Sequence, residues 1–257
     1  MIFLLFDAFG TLVELDDFYG RLQRGFAQRG FAQSDFAQSD FAEQTPIDIP
    51  LPSMRRAAHR EMRHYMTNSL RAHQTDEWET LRHECAQILA DALREENANW
   101  DFSPETAYRV LDAAIVFRAF PETRQVLETL QARGISMGVL SNWDFQLPQV
   151  LQSLGLDGFF EFILSSAQAG FEKPDARFFA SGLQHIRALH PTIATENCFY
   201  IGDHLEKDVL PSRAFGFRPL WIVRRERDIA SGEPGNANGV PQLSSLHEVL
   251  RVLDIPN

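Results

Sequence analysis

The sequence predicts an α/β protein with a doubly wound parallel sheet as its core and a helical domain inserted near the start. In the second half of the chain, short apolar runs alternate with helical patterns, the order expected for parallel strands joined by helices. Between the first apolar run and this region lies a long stretch of helical patterns without a clear strand. The 257 residues suffice for a core domain and a smaller partner.

The predicted strands are apolar runs that end in a polar or small residue. The first covers residues 2–6 and is followed by Asp7. Uninterrupted apolar runs of this length are typical of strands that are buried on both faces of a parallel sheet. Because ligands bind at the carboxyl ends of such strands, the polar residues after each run should meet in one crevice. Similar runs occur at 135–140, 162–164, 198–201 and 220–223.

The helices predicted between these strands complete a Rossmann-like core. Segment 121–133 begins with proline and is followed by Gly134, which is the usual asymmetry of helix ends. The helical pattern at 147–154 is followed by Gly155, and the pattern at 176–189 is followed, two residues on, by Pro191.

The inserted region carries amphipathic patterns that predict helices at 54–70, 77–94 and 104–117. We therefore expect two domains: a core of residues 1–14 and 118–257, and an inserted helical domain of residues 15–117.

A five-residue repeat lies inside the insertion, at 26–43. The unit Phe-Ala-Gln begins at Phe26 and recurs three times, the last copy ending in Glu43. On a helix, a period of five rotates each phenylalanine away from the previous one, so that no single apolar face forms. The repeat predicts a loosely specified insertion. A helical extension that shapes substrate access is the alternative.

Charge and hydropathy limit the classes of partner. The formal net charge is −11, without the basic surface that nucleic-acid binding requires. No segment approaches the roughly 20 apolar residues of a membrane span. The apolar N-terminus lacks the basic residues of a signal peptide and is interrupted by Asp7. We expect a cytoplasmic protein with a small, anionic substrate and with no nucleic-acid or membrane partner.

Reactive groups follow the predicted strands. A carboxylate nucleophile needs a fixed orientation, a countercharge for an anionic substrate, and donors for the oxygens that gain charge. Clustered carboxylates repel one another, and bound Mg²⁺ relieves this repulsion. Lys173, one of only two lysines in the chain, can anchor such a cluster. The candidate residues are Asp7, Ser141, Lys173, Asp203 and Asp208.

Four motifs, in this order along the chain, resemble those of the haloacid dehalogenase superfamily of hydrolases. The inserted helices fall where subfamily I of this superfamily carries its helical cap domain of the first type. The motifs are Asp7-Ala8-Phe9-Gly10-Thr11-Leu12, Leu140-Ser141-Asn142, Glu172-Lys173-Pro174-Asp175, and the G-D-x-x-x-x-D pattern from Gly202 to Asp208.

The resemblance implies a Mg²⁺-dependent hydrolase and a role for each matching residue. Asp7 would be the nucleophile and a metal ligand. The other ligands would be the backbone carbonyl of Phe9, Asp203 and Asp208. Lys173 would steady Asp7 and the substrate. Groups that contact the substrate would be Ser141, Asn142 through its backbone amide, and Thr11 in the turn after the nucleophile.

Phe9 departs from the pattern of the family's phosphatases, which usually carry a second aspartate at this position as general acid and base. Such a group typically contributes 10²–10⁴-fold to the rate, and phenylalanine cannot transfer a proton. His204 is a candidate substitute by its proximity in the sequence; a structural role is the alternative.

Three functions therefore remain open. The first is a phosphatase that acts on a small phosphorylated metabolite through an aspartyl-phosphate intermediate. The second is a dehalogenase-like hydrolase that acts at carbon, because L-2-haloacid dehalogenases have an aromatic residue where Phe9 stands; these enzymes, however, use no Mg²⁺ and lack the Gly-Asp pair of the fourth motif. The third is a non-catalytic binding or scaffold protein that keeps the fold and the metal site. Phosphonoacetaldehyde hydrolases, another class of this superfamily, need a lysine in the cap domain. No lysine precedes Lys173, so the inserted domain cannot supply one.

Overall fold

The computed structural model describes residues 1–28, 47–224 and 239–254. They divide into two compact units. The sheet unit comprises Met1–Glu14, Leu70–His73 and Phe117–Asn257, and the helical unit comprises Leu15–Ser69 and Gln74–Val116. None of the helices in the described ranges combines the length and the apolar character that crossing a bilayer requires.

The core of the sheet unit is a six-stranded sheet whose paired strands are all parallel. The strands, in chain order, are β1 (Phe3–Phe6), β2 (Val13–Leu15), β3 (Phe117–Ala119), β4 (Ser136–Ser141), β5 (Phe162–Ser165), β6 (Cys198–Gly202), β7 (Arg218–Ile222) and β8 (Gln242–Leu243). The order in the sheet is β5-β4-β1-β6-β7-β8, while β2 and β3 pair separately. This confirms the predicted doubly wound α/β fold, with the chain reversing its direction of winding beside β1.

Helices follow the strands and fill the helical unit. They are α1 (Phe18–Ala27), α2 (Leu51–Asn68), α3 (Thr75–Glu96), α4 (Pro104–Ala114), α5 (Thr123–Ala132), α6 (Leu147–Ser153), α7 (Ser166–Ala169), α8 (Ala176–Leu189), α9 (Leu210–Phe215) and α10 (His247–Val252). Helix α8 has the bounds that the sequence predicts, and the others overlap their predicted segments where one was predicted.

Two apolar layers cover the two faces of the sheet, which explains the uninterrupted apolar runs. Leu4 and Phe6 of β1 belong to one buried cluster, together with residues of α5, α6 and α10. Phe3 and Leu5 point to the opposite face and belong to a second cluster, with residues of α8. Alternate side chains of a strand face opposite sides of a sheet, and all four residues of β1 are fully buried. Burial of the central strand fixes where its carboxyl end, and therefore Asp7, lies in the sheet.

The helical unit is built from α1 to α4, which pack as neighbours in the pairs α1–α2, α2–α3, α3–α4 and α1–α4. The prediction of a helix at 104–117 was wrong at its end, because α4 stops at Ala114 and Phe117 begins β3. The backbone N–H of Ile115 closes the last turn on Asp112 and Leu111. Ile115 and Val116 are β-branched, and such residues favour extended backbone over helix.

The Phe-Ala-Gln repeat falls largely outside the described residues. Only its first unit is described: Phe26 lies in α1 and is fully buried, and its ring lies 4.4 Å from that of Phe102. The copies within 29–46, and with them the alternatives for the repeat, stay predictions.

Candidate active site

The parallel strands bring the predicted reactive residues to one edge of the sheet. Asp7 directly follows β1, and its backbone N–H donates to the carbonyl of Ile201 on β6 at 2.8 Å. Ser141 is the last residue of β4, the other neighbour of β1. Asp203 follows β6. Because β4, β1 and β6 are adjacent and parallel, their carboxyl ends place these side chains together.

The turn after Asp7 requires a glycine. Gly10 has a φ of 81°, in the left-handed region that glycine adopts most readily. Its N–H donates to the carbonyl of Val13 at 2.7 Å, which closes the loop that carries Phe9 and Thr11. This closed loop keeps the first motif compact at the tip of β1.

Two donors hold the Asp7 carboxylate by the same oxygen. The Ser141 hydroxyl donates to Asp7 Oδ1 at 2.8 Å, and Lys173 Nζ donates to that atom at 2.7 Å. Asp7 is 6% exposed, and both donors are more deeply buried. The shared oxygen fixes the orientation of the carboxylate, while Oδ2 accepts none of the hydrogen bonds among the described residues.

The Lys173 ammonium lies at the centre of the site. It donates to Asp7 Oδ1, to the Tyr200 hydroxyl at 2.9 Å and to Asp208 Oδ1 at 2.6 Å. Burial alone lowers the pKa of a lysine, but the adjacent charges of Asp208 and Asp7 raise the pKa of Lys173 well above its usual value. Lys173 is therefore a fixed positive charge.

Asp208 is held by backbone and lysine together. It lies in a short π-helical turn, Leu205–Val209, and its Oδ2 accepts the N–H groups of Asp203 and His204 at 3.1 and 2.9 Å. Burial raises the pKa of Asp208, and the charge of Lys173 opposes this. A Cβ on Gly202 would lie 2.5 Å from Asp208 Cγ, so the close approach of this turn to β6 requires glycine.

The three carboxylates form a group that suits a hard divalent cation. One oxygen each of Asp7, Asp203 and Asp208 lies within 4.8 Å of the other two. Lys173 pairs with two of the three carboxylates, those of Asp7 and Asp208. Carboxylate oxygens are the ligands that Mg²⁺ prefers. The donor set therefore fits Mg²⁺ in its chemistry.

Asn142 contacts the backbone of Lys173 through its side chain. Its Nδ2 donates to the Lys173 carbonyl at 2.9 Å, and its Oδ1 accepts the Lys173 N–H at 2.7 Å. This pair of bonds ties the loop of the third motif to the end of β4. The predicted contact between the Asn142 backbone amide and a substrate stays a prediction.

The remaining predicted residues lie apart from this hydrogen-bond network. Thr11 is fully buried and its Oγ1 has no hydrogen-bond partner among the described residues, while its carbonyl accepts from Arg224 at 3.1 Å. The Phe9 ring meets the Trp143 ring edge-on, with 6.3 Å between centroids, and Trp143 also contacts Phe117 at 5.0 Å. Phe9 thus presents an apolar group two residues after the nucleophile candidate.

His204 has the structural contact that the sequence left open as the alternative to proton transfer. Its Nδ1 accepts the backbone N–H of Lys207 at 3.3 Å and so caps the π-helical turn. Burial lowers the pKa of the imidazole. A neutral ring whose Nδ1 accepts this bond carries its proton on Nε2.

Tyr200 is the residue of this network that the sequence analysis missed. Its hydroxyl accepts from Lys173 and donates to the Leu140 carbonyl at 2.7 Å. A signal was present: Tyr200 is the only residue with a hydroxyl within the predicted strand 198–201. A hydroxyl buried in a parallel sheet needs a hydrogen-bond partner, and the strand's end at Gly202-Asp203 placed that partner near the site.

Fold and site together define a class of α/β protein in which an aspartate, a lysine and two further carboxylates meet at the carboxyl edge of a parallel sheet. The family model described as haloacid dehalogenase-like hydrolase matches residues 4–216. The chain belongs to this family, and it is a hydrolase by that membership.

Similar proteins agree with this assignment. Haloacid dehalogenase-like hydrolase domain-containing protein 3 of Bos taurus is 34% identical over 144 residues, which cover 52% of this chain and 54% of the relative. Glyceraldehyde 3-phosphate phosphatase of Methanocaldococcus jannaschii is 26% identical, covering 54% of this chain and 58% of that protein. The chain thus spans about half the length of these curated relatives. The structure of L-2-haloacid dehalogenase from Xanthobacter autotrophicus shares the fold, with a TM-score of 0.65 at 15% identity and 99% coverage of both chains.

Proposed function

We propose that this hydrolase is a Mg²⁺-dependent phosphatase that acts on a small phosphorylated metabolite through an aspartyl-phosphate intermediate at Asp7. The observation that carries the proposal is the grouping of Asp203 and Asp208 with Asp7, in which the three carboxylates lie within 4.8 Å of one another. Phosphatase-named proteins among the similar sequences, such as that of Methanocaldococcus jannaschii, support the same reaction class.

Each residue of the site has a step that its contacts suit. Ser141 and Lys173 orient the Asp7 carboxylate through Oδ1, so that it can attack phosphorus as a nucleophile. Lys173 remains positively charged and offsets the charge of an anionic phosphate. Asn142 holds the backbone of Lys173 and thereby the position of the ammonium.

A bound Mg²⁺ would be held by Asp7, Asp203 and Asp208, with the Phe9 carbonyl as a further proposed ligand. When bound, it supplies positive charge that screens the carboxylates from one another and from the phosphate oxygens. Without such a charge, clustered carboxylates at a buried site repel one another. The chain's own contribution is the fixed geometry of the oxygens.

The proposal is tested by phosphate release from p-nitrophenyl phosphate and acetyl phosphate, with Mg²⁺ and with EDTA. We expect turnover that requires Mg²⁺ and that falls to the uncatalysed background in Asp7→Asn, because the amide is no nucleophile. The matched control is Asp157→Asn, at a partly exposed aspartate of the turn Asp157–Phe159, which should keep wild-type activity. Absence of turnover with both substrates in the presence of Mg²⁺ contradicts the proposal.

A hydrolase acting at carbon is the second candidate, and one observation favours it. Phe9, two residues after Asp7, and Trp143, two residues after Ser141, have their aromatic rings in contact, and displacement of a halide needs no acid. Halide release from 2-chloropropionate that persists in EDTA would favour this candidate over the phosphatase.

A further inference from the structure

The protons of the site indicate a class of substrate. The Lys173 ammonium has three N–H groups, and all three are directed to acceptors: Asp7 Oδ1, the Tyr200 hydroxyl and Asp208 Oδ1. An ammonium has three donors and no more. All three protons of Lys173 are therefore engaged within the site, and none is directed to a departing oxygen.

The other proton carriers near Asp7 are equally committed. The Ser141 hydroxyl donates to Asp7, and the Tyr200 hydroxyl donates to the Leu140 carbonyl. His204 accepts the backbone N–H of Lys207 through Nδ1 and so caps the π-helical turn. The Thr11 hydroxyl is without a partner among the described residues, but an aliphatic alcohol is too weak an acid to protonate a leaving group.

Phe9, two residues after Asp7 on the nucleophile loop, has no group that could deliver a proton. Its ring is fixed by Trp143, which is 5% exposed and which in turn contacts Phe117. Phe9 and Phe117 both contact Trp143, and the three rings form an apolar group that begins two residues after Asp7. Such a group neither donates a proton nor solvates an alkoxide.

We propose that this site is selective for phosphates with an acidic leaving group, which are acyl, aryl and enol phosphates, and that it discriminates against alkyl phosphates. The inference rests on the phosphatase function proposed above and adds the substrate class. A carboxylate, a phenolate or an enolate departs as an anion without protonation, whereas an alkoxide needs a general acid, and neither Phe9 nor the hydrogen-bonded groups of Lys173, Ser141 and Tyr200 supply one.

The reaction balances without an acid. A carboxylate oxygen of Asp7 forms a bond to phosphorus, the bond from phosphorus to the leaving oxygen breaks, and that oxygen departs with the electron pair as an anion. Water then forms a bond to phosphorus as the bond from phosphorus to the Asp7 oxygen breaks. Asp7 regains its negative charge, and both protons of the water leave on dihydrogen phosphate. The second step also expels a carboxylate, so it too needs no acid.

A series of substrates with increasing leaving-group pKa tests the inference: acetyl phosphate, p-nitrophenyl phosphate, phenyl phosphate and glycerol phosphate, each with Mg²⁺. We expect kcat/KM to fall steeply along the series, with glycerol phosphate at least about 10²-fold below acetyl phosphate, which is the lower range of what a general acid contributes. Equal kcat/KM for glycerol phosphate and acetyl phosphate overturns the inference.

Two substitutions at Phe9 separate proton transfer from ring packing. Phe9→Asp and Phe9→Asn both lose the contact with Trp143, but only the aspartate can carry a proton. We expect the kcat/KM of Phe9→Asp for glycerol phosphate to be about 10²-fold above that of Phe9→Asn, with little difference in kcat/KM for acetyl phosphate, because kcat/KM reports the steps up to departure of the leaving group. If the two variants behave alike with glycerol phosphate, proton transfer does not limit the wild-type site.

Failure of the inference differs from failure of the phosphatase function. Acetyl phosphate should leave a phosphoryl group on the peptide that contains Asp7, detected by mass spectrometry after an acid quench and absent in Asp7→Asn. A labelled peptide with a flat substrate series overturns the inference alone. No label and no turnover with any substrate overturns both.

Discussion

At the scale of single residues, Tyr200 connects the charged centre to the sheet. It is fully buried in the second apolar cluster, and its hydroxyl joins Lys173 Nζ to the carbonyl of Leu140, the residue before Ser141. The ring packs in the core, while the hydroxyl links the Lys173 ammonium by hydrogen bonds to β4, the strand that carries Ser141. A buried hydroxyl with both a donor and an acceptor partner loses both when it is removed.

Tyr200→Phe is expected to lower kcat about tenfold with little change in KM. The phenylalanine ring keeps the packing, but Lys173 loses one acceptor and the Leu140 carbonyl loses its donor. A hydrogen bond to a charged group is worth roughly 1.5–3 kcal/mol, so a loss of this order in orienting the ammonium accounts for the effect. Steady-state kinetics with acetyl phosphate measures it.

Tyr108→Phe in the helical unit, where the ring stacks on His83, is the matched control and should leave kcat unchanged. An unchanged kcat in Tyr200→Phe would mean that Tyr200 only packs in the core and that its hydroxyl does not position Lys173.

The sequence predicted the charged members of this site but not how they are held. Asp7, Lys173 and Asp208 were recognisable because the residues stand in motifs that follow apolar runs. The bonds from Asn142 to the Lys173 backbone and from Tyr200 to Lys173 depend on which loop and which strand lie side by side. Such pairing joins residues distant in the chain, so the local pattern that marks Tyr200 as a buried hydroxyl does not identify Lys173 as its partner.

At the scale of helices and strands, periodicity predicted the long elements and missed the short ones. Helix α8 repeats its apolar positions over several turns and has the predicted bounds. Strands β2 and β3 contain three residues each, too few to show an alternating pattern. The sequence pattern therefore predicted Phe117 as the end of a helix, whereas it is the first residue of β3, which pairs with β2.

A buried carboxyl lies between two helices of the helical unit. Glu61 of α2 is 2% exposed, and the groups that face it are Arg82 and Cys85 of α3 and His64 of its own helix. Burial raises the pKa of Glu61 from 4.5 to about 7, although Arg82 opposes the shift. The carboxyl is therefore protonated in the folded protein at pH values where the unfolded chain has already released the proton.

Stability of the helical unit should consequently fall as the pH rises from about 4.5 to about 7, because the folded state binds the extra proton over this range. The full shift corresponds to about 3 kcal/mol. Glu61→Gln removes the cost of the buried charge, so we expect it to be more stable than the wild type at pH 8 and about equal at pH 5. Urea unfolding at the two pH values measures this difference.

Glu79→Gln, on an exposed position of α3, is the matched control and should show no pH-dependent gain. If Glu61→Gln raises the free energy of unfolding over the wild type by as much at pH 5 as at pH 8, Glu61 does not titrate in this range.

At the scale of the whole molecule, folding creates the carboxylate cluster from distant parts of the chain. Lys173 meets Asp7 from 166 residues away and Asp208 from 35 residues away. The unfolded chain has no such cluster, so a cation that binds it binds only the folded state. Ligands of this kind stabilise a protein by mass action.

Mg²⁺ is therefore expected to raise the unfolding temperature, and this effect does not require a substrate. At a concentration 100 times its Kd, the gain is about 2.7 kcal/mol, which corresponds to roughly 5–10 °C for a domain of this size. Thermal unfolding with Mg²⁺, compared with EDTA, measures the shift. Asp203→Asn removes one carboxylate and should lose most of it, whereas Asp157→Asn should keep it. A shift that is equal in the two variants would mean that Mg²⁺ binds elsewhere on a chain whose net charge is −11, and it would remove the metal from the proposed reaction.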